Sequence, residues 1–117
     1  MTLAADLMLR EPKTLPADAS VAEVRGQLAS PRVQMVLLAD GRVFKGAVTA
    51  IPEEAAPAER ALDYADRELE TLPPDASGDI AFERAAASPN RRVIVLDEDR
   101  NLLGLLCLNA AKTGFCR

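Results

Sequence analysis

An α/β fold built from two copies of one unit is the fold class this sequence predicts, and three observations carry the prediction. The chain repeats itself; each copy reads strand, helix, strand, strand, helix; and the inner strands are continuous apolar runs rather than alternating ones. The repeat is explicit, with Thr14-Leu15-Pro16-Ala17-Asp18-Ala19-Ser20 answered by Thr71-Leu72-Pro73-Pro74-Asp75-Ala76-Ser77. Further on, Ser30-Pro31 answers Ser88-Pro89, Val36-Leu37-Leu38 answers Ile94-Val95-Leu96, and Gly46 answers Gly104. The offset is 57 residues at the start and 58 from Ser30 onward, which places one extra residue near Gly78-Asp79. A duplication filling the chain predicts that the functional surface lies between the copies. On this reading residues 1–60 form the first repeat with an opening and a linking helix, and residues 61–117 the second.

Each element has a local reason. The first strand of each copy (Lys13-Thr14-Leu15, Glu70-Thr71-Leu72) stops at a proline, which cannot donate to a ladder. Ser20 with Glu23 three residues on makes a capping box for a helix from about Val21 to Ala29, with Val21, Val24 and Leu28 on one face. In the second copy Ser77 or Asp79 caps, and Ile80, Ala81, Phe82 and Ala85 supply the apolar face. Both helices end at Ser-Pro, because the residue before proline is pushed out of the α region. The runs Met35-Val36-Leu37-Leu38 and Val93-Ile94-Val95-Leu96 suit strands covered on both faces. Strands Val43 to Thr49 and Leu102 to Leu108 follow, each with one glycine, which marks a bulge or a close backbone approach. The alanine- and glutamate-rich stretch from Pro52 predicts a helix broken by Pro57, then a second element over Ala58 to Ala65. Leu3 to Leu9 matches Ala61 to Asp66 relative to its repeat and is predicted as a short helix, as is a brief terminal helix in Asn109 to Arg117.

Composition narrows the function. The 117 residues carry a net charge of −4 with arginines and carboxylates interspersed, so no basic stripe for nucleic acid exists. No apolar run approaches the roughly 18 residues of a membrane span, and the N-terminus lacks the order of a signal peptide, which predicts a soluble, cytoplasmic protein. Aromatics make up only 3%, so the core must be aliphatic. With no histidine, Ser-His and Cys-His catalysis is excluded, and no spacing singles out a carboxylate pair; no catalytic residue is expected. Cys107 and Cys116 suggest neither a metal site nor a disulfide framework, and Cys107 reads as a small buried hydrophobe.

The tandem strand-helix-strand-strand-helix unit, with its Thr-Leu-Pro-x-Asp-Ala-Ser openings and the run Val93-Ile94-Val95-Leu96-Asp97-Glu98-Asp99-Arg100-Asn101-Leu102-Leu103-Gly104-Leu105-Leu106, resembles the CBS-domain pair, or Bateman module, over residues 4–112. The resemblance implies two half-domains around a pseudo-twofold axis, with two clefts between them that hold AMP, ADP, ATP or S-adenosylmethionine. It also implies a ligand signature of glycine, two apolar residues, Thr or Ser, two more residues, then Asp, whose hydroxyl and carboxylate take the ribose. Here the first copy reads Gly46-Ala47-Val48-Thr49-Ala50-Ile51-Pro52, keeping the hydroxyl and placing Glu53 as the substitute carboxylate. The second reads Gly104-Leu105-Leu106-Cys107-Leu108-Asn109-Ala110 and loses both groups.

Further candidates are Arg91 and Arg92, which precede a strand where the family often places a basic residue facing phosphate; Arg32 and Gln34 at the matching place in the first copy, with Gln34 as the counterpart of Arg92; and Thr14 and Thr71 on the first strands. A guanidinium fork suits phosphate; the alternative is that the arginines pair with Asp97, Glu98 or Asp99 nearby. The expected function is a stand-alone regulatory module that binds an adenosine-type nucleotide and signals through a homodimer or an unidentified protein partner. The alternative is a ligand-free dimerisation module with degenerate sites.

Overall fold

In the computed structural model, which describes residues 1–66 and 69–116, the chain forms two compact units. One comprises residues 13–68; the other joins residues 1–12 to residues 69–117. The two flanking segments are therefore exchanged relative to a division at residue 60: the opening segment folds with the second repeat, and the stretch 61–66 with the first.

In the unit 13–68, β2 (Thr14–Pro16) leads through α2 (Val21–Leu28) to β3 (Val36–Asp40), then by a tight turn to β4 (Val43–Val48). The sheet order is β2-β3-β4, with β2 parallel to β3 and β3 antiparallel to β4. The other unit repeats this with β5 (Thr71–Leu72), α3 (Gly78–Ala87), β6 (Arg92–Leu96) and β7 (Leu102–Cys107), and adds α1 (Ala4–Leu7) and an edge strand β1 (Leu9–Arg10) antiparallel to β7. The helical crossovers follow from the parallel pairs, which no hairpin can join. Ser20 and Ser77 both cap, each accepting a backbone N–H three residues on at 3.2 Å; of the two candidates in the second copy it is Ser77, not Asp79.

Val36 to Ala39 and Val93 to Leu96 are all core residues, while Met35, read as the start of the first run, is half-buried just ahead of β3. Val24, Val36, Leu38, Val48 and Ala61 cluster in one unit; Ala81, Ala85, Val93, Val95, Leu106 and Leu108 in the other. On α3 only Ala81 and Ala85 are buried, while Ile80 and Phe82 are about two-fifths exposed, because one helical turn puts residues four apart on the inward face and turns their neighbours outward.

Register corrects the alignment of the repeats. Thr14 pairs with Leu37 and Thr71 with Ile94, and the bulges fall between Leu38 and Ala39 and between Val95 and Leu96. A single offset of 57 therefore runs from β2 through β3, and the extra residue lies in the second turn, Glu98-Asp99-Arg100 against Gly41-Arg42, not near Gly78-Asp79. The turn absorbs it because Arg100 adopts the left-handed φ of 64° that Gly41 adopts at 63°, while the Asp97 carboxylate accepts the Asp99 and Asn101 N–H groups at 2.9 and 2.8 Å. The counterpart of Gln34 is then Arg91, not Arg92, whose counterpart is Met35.

The helix expected from Pro52 does not form. Residues 52–60 are turns, followed by a single 3₁₀ turn at Ala61–Tyr64. Prolines at 52 and 57 remove donors, and the Arg25 guanidinium takes the carbonyls of Pro52, Glu53 and Ala55 at 2.8, 3.2 and 3.0 Å, holding them off a helical ladder. The terminal helix is absent too among the described residues: 109–116 is a turn closed by a Leu108–Phe115 bridge and a Cys107–Cys116 disulfide, with Arg117 outside them. Cys107 is buried as expected, but as half of a covalent tie.

Candidate functional site

Of the residues singled out from the sequence, Thr14, Thr49, Thr71, Arg91 and Arg92 fall at or next to strand ends, while Arg32 and Glu53 lie on loops. In the unit 13–68, the segment after the 3₁₀ turn lies along β4. The Asp66 N–H donates to the Ala47 carbonyl at 2.8 Å, and Leu62 and Ala65 come so close to Gly46 that a Cβ there would meet them at 3.0 and 3.1 Å. This close approach is what the mid-strand glycine permits. It delivers the Asp66 carboxylate to Thr49, whose hydroxyl donates to Oδ2 at 2.8 Å in a half-buried setting. The Thr49 hydroxyl thus has a carboxylate partner in Asp66, whereas Pro52 stands where the Gly-x-x-Thr-x-x-Asp signature would place one. Glu53 does not partner Thr49; it is exposed in the turn and its carbonyl is held by Arg25.

Thr14 is exposed at the start of β2 and lines both a cavity of about 80 Å³ with Lys13, Gln27, Val33 and Met35 and an open groove of about 610 Å³ with Asp18, Asp40 and Arg60. Gln34 is half-buried just before β3, and Arg32 is exposed on the preceding loop.

In the other unit, Arg91 and Arg92 lie where the chain turns from α3 into β6. Ser88 organises that turn: its carbonyl accepts the Arg91 N–H at 3.1 Å and its hydroxyl the N–H groups of Asn90 and Arg92 at 3.3 and 3.4 Å. Arg91 takes a left-handed φ of 54°, and its Nε donates to the Leu108 carbonyl at 3.3 Å. The Arg92 guanidinium is half-buried and donates to the carbonyls of Asn90 and Arg91, at 3.1 and 3.3 Å. Among the described residues neither arginine has a carboxylate partner, whereas Arg84 on α3 pairs with Glu70 at 3.1 Å. Asp97, the nearest acid along the strand, sits beyond the far end of β6, roughly 16 Å away at strand rise, and accepts from Asn101 and Asp99. Burial draws the Arg92 guanidinium below its ordinary pKa, and the adjacent charge of Arg91 adds to the shift. An anion placed against the pair would relieve both costs. Thr71 is exposed at the start of β5, opposite Ile94.

At the place of Thr49 the second repeat carries Cys107, tied to Cys116. Gly104 answers Gly46: a Cβ there would meet Met8 Cγ at 2.6 Å and the Leu9 carbonyl at 2.7 Å. Both glycines thus mark where a flanking segment crosses a bulged strand. Asp66 and Cys116 are the two residues the sequence reading missed. The one signal for Asp66 lay in the match of Leu3–Leu9 to Ala61–Asp66, which reads only as a short helix; in the structure Leu9 pairs with Leu105 and Asp66 reaches Ala47.

Duplicated units of a parallel strand pair and an antiparallel hairpin, joined by helical crossovers, define a tandem α/β module. The chain has the fold of a tandem CBS-domain pair. It aligns with the cystathionine beta-synthase pair domain of a Mg2+ transporter from Shewanella oneidensis MR-1 at TM-score 0.79, with 16% identity over 95% of this chain and 68% of that one. It aligns with the CBS-pair protein CBSX2, known from Arabidopsis thaliana and solved in complex with AMP, at TM-score 0.74, 16% identity, 96% of this chain and 92% of that one. The CBS domain of a bacterial CNNM/CorC family Mg2+ transporter in complex with ATP gives TM-score 0.65, 16% identity and coverage of 91% and 81%. No family model matches the sequence, and no curated protein is detectably similar to it. No helix among the described residues is long and apolar enough to cross a membrane, and no group of metal-ligating side chains is gathered there.

Proposed function

We propose that the chain is a non-catalytic regulatory module that binds an adenosine-type nucleotide and passes its state to a second copy or to a partner protein. The observation that carries this reading is the Arg91–Arg92 pair: adjacent guanidiniums, half-buried and without a carboxylate partner among the described residues, suit a phosphate-bearing ligand. The Thr49–Asp66 pair supports it by offering a donor–acceptor set that fits a ribose hydroxyl. AMP and ATP bound to proteins of this fold support the ligand class. Exposed Ile80 and Phe82 on α3 support an apolar contact with a second copy, which light scattering at tens of micromolar checks as a dimer.

The test is a thermal-shift titration with AMP, ADP, ATP and S-adenosylmethionine. A ligand at 100 times its Kd adds about 2.7 kcal/mol of apparent stability, several degrees in a domain of this size. Arg92→Ala is expected to weaken ATP binding about tenfold, as loss of a charge-assisted hydrogen bond does, while changing unliganded stability by about 0.5 kcal/mol. The absence of any shift at millimolar concentration overturns the nucleotide reading in favour of a ligand-free dimerisation module, in which Thr49 is satisfied by Asp66 alone.

A further inference from the structure

The end of β7 is held by a covalent tie that the nucleotide reading does not use. Cys107 and Cys116 close a loop nine residues apart in sequence. Inside it the Asn109 N–H donates to the Gly114 carbonyl at 2.9 Å, and the Asn109 side chain accepts the Thr113 N–H at 2.9 Å. Phe115 packs against the core of its unit and meets the Phe82 ring edge-on, with centroids 6.2 Å apart.

This tie is fastened to the arginine pair. Cys107 is the cross-strand partner of Arg92, so the two side chains share a face of the sheet. Leu108, the next residue, exchanges two bonds with Arg91: its N–H donates to the Arg91 carbonyl at 2.9 Å, and its carbonyl accepts from Arg91 Nε. Leu108 lies past the last ladder pair, Arg92 with Cys107. Beyond that point the chain returns to the sheet through Phe115 and the disulfide.

We infer that the Cys107–Cys116 disulfide is a redox latch that orders Arg91 and Arg92, and that its reduction loosens them. The reductant is a low-molecular-weight thiol or a dithiol protein. Cys116 is half-buried and lines a cavity of about 640 Å³ with Asp6, Met8, Arg10 and Phe115, whereas Cys107 is buried, so the attack falls on the Cys116 sulfur. A thiolate of the reductant bonds to Cys116 Sγ as the Cys107–Cys116 bond breaks, and Cys107 leaves as a thiolate. A second thiol then attacks the mixed disulfide and frees Cys116. Water supplies the proton each released thiolate takes up at neutral pH, and the two electrons come from the reductant, which ends as a disulfide. The oxidised chain presents the arginines pre-organised for phosphate; as a regulator of ligand affinity the latch rests on the nucleotide reading, but as a device of the fold it does not.

Amide hydrogen exchange on the full chain, oxidised and after treatment with dithiothreitol, decides the matter, with Cys116→Ser as the permanently open form. Exchange at Arg92, Leu108 and Cys107 is expected to rise at least about tenfold in the reduced and Cys116→Ser forms, with the amides of β3 and β4 unchanged. In parallel, ATP affinity is expected to fall about threefold or more on reduction, as loss of pre-organisation requires. Equal exchange in the two redox states, or a mass showing two free thiols after oxidation, overturns the latch whatever ATP does. Faster exchange with no ATP binding in either state upholds the latch and overturns the nucleotide reading.

Discussion

The ends of β4 and β7 occupy the same place in the two repeats and are finished with different chemistry. At β4 the next residue is Thr49, and a hydroxyl–carboxylate hydrogen bond of 2.8 Å ties it to Asp66. At β7 the equivalent residue is Cys107, and a disulfide ties it to Cys116. In both, a glycine behind a bulge admits a crossing segment, so the scaffold is shared and only the closing bond differs. The lesson is that duplication preserved the backbone requirement while the side-chain pair was free to diverge. A hydrogen-bonded pair can part without chemistry, whereas a covalent one parts only when it is reduced.

Substitutions can break that comparison. The largest expected effect is at the glycines. Gly104→Ala would drive a Cβ to 2.7 Å from the Leu9 carbonyl, a backbone atom, and should cost about 3 kcal/mol. Gly46→Ala meets only side chains at 3.0 and 3.1 Å, which can give, and should cost about 1 kcal/mol. Urea unfolding of both variants measures the difference, and equal losses would show that the two crossings are not built alike. Next come the closing bonds. Cys116→Ser removes the loop constraint and should lower the oxidised chain's stability by about 2 kcal/mol. Thr49→Val leaves the Asp66 carboxylate without its hydroxyl donor and should cost about 1 kcal/mol. Adding a reductant should abolish the first difference and leave the second untouched. The smallest effect has the opposite sign. Gly26 lies inside α2, and a Cβ added to it would have nothing within 4 Å, so Gly26→Ala should raise the unfolding free energy by about 0.5 to 1 kcal/mol. A loss there would mean that α2 carries a contact its open surface does not show.

Much of this was legible in the residue order. The Ser20–Glu23 capping box, the Ser-Pro helix ends and the apolar runs of β3 and β6 formed as their local chemistry requires, because each depends on neighbours within a few positions. The helix at Pro52 was misread since its composition favours helix while a distant guanidinium, 27 to 30 residues away, claims its carbonyls. Ile80 and Phe82 were assigned inward because hydrophobicity alone does not choose between two adjacent helix faces; the small Ala81 and Ala85 won by letting α3 seat closely on its sheet.

By itself the sequence determined the duplication, the α/β unit, the bulge glycines and the basic pair at the start of β6, all of which are properties of order and spacing. Only the tertiary structure decided that Asp66 is the carboxylate that meets Thr49 and that Cys107 is bonded rather than merely buried. Those partners lie 17 and 9 residues away along the chain. They meet because flanking segments pack back onto a strand end, and no local pattern in the sequence records where a returning segment comes to rest.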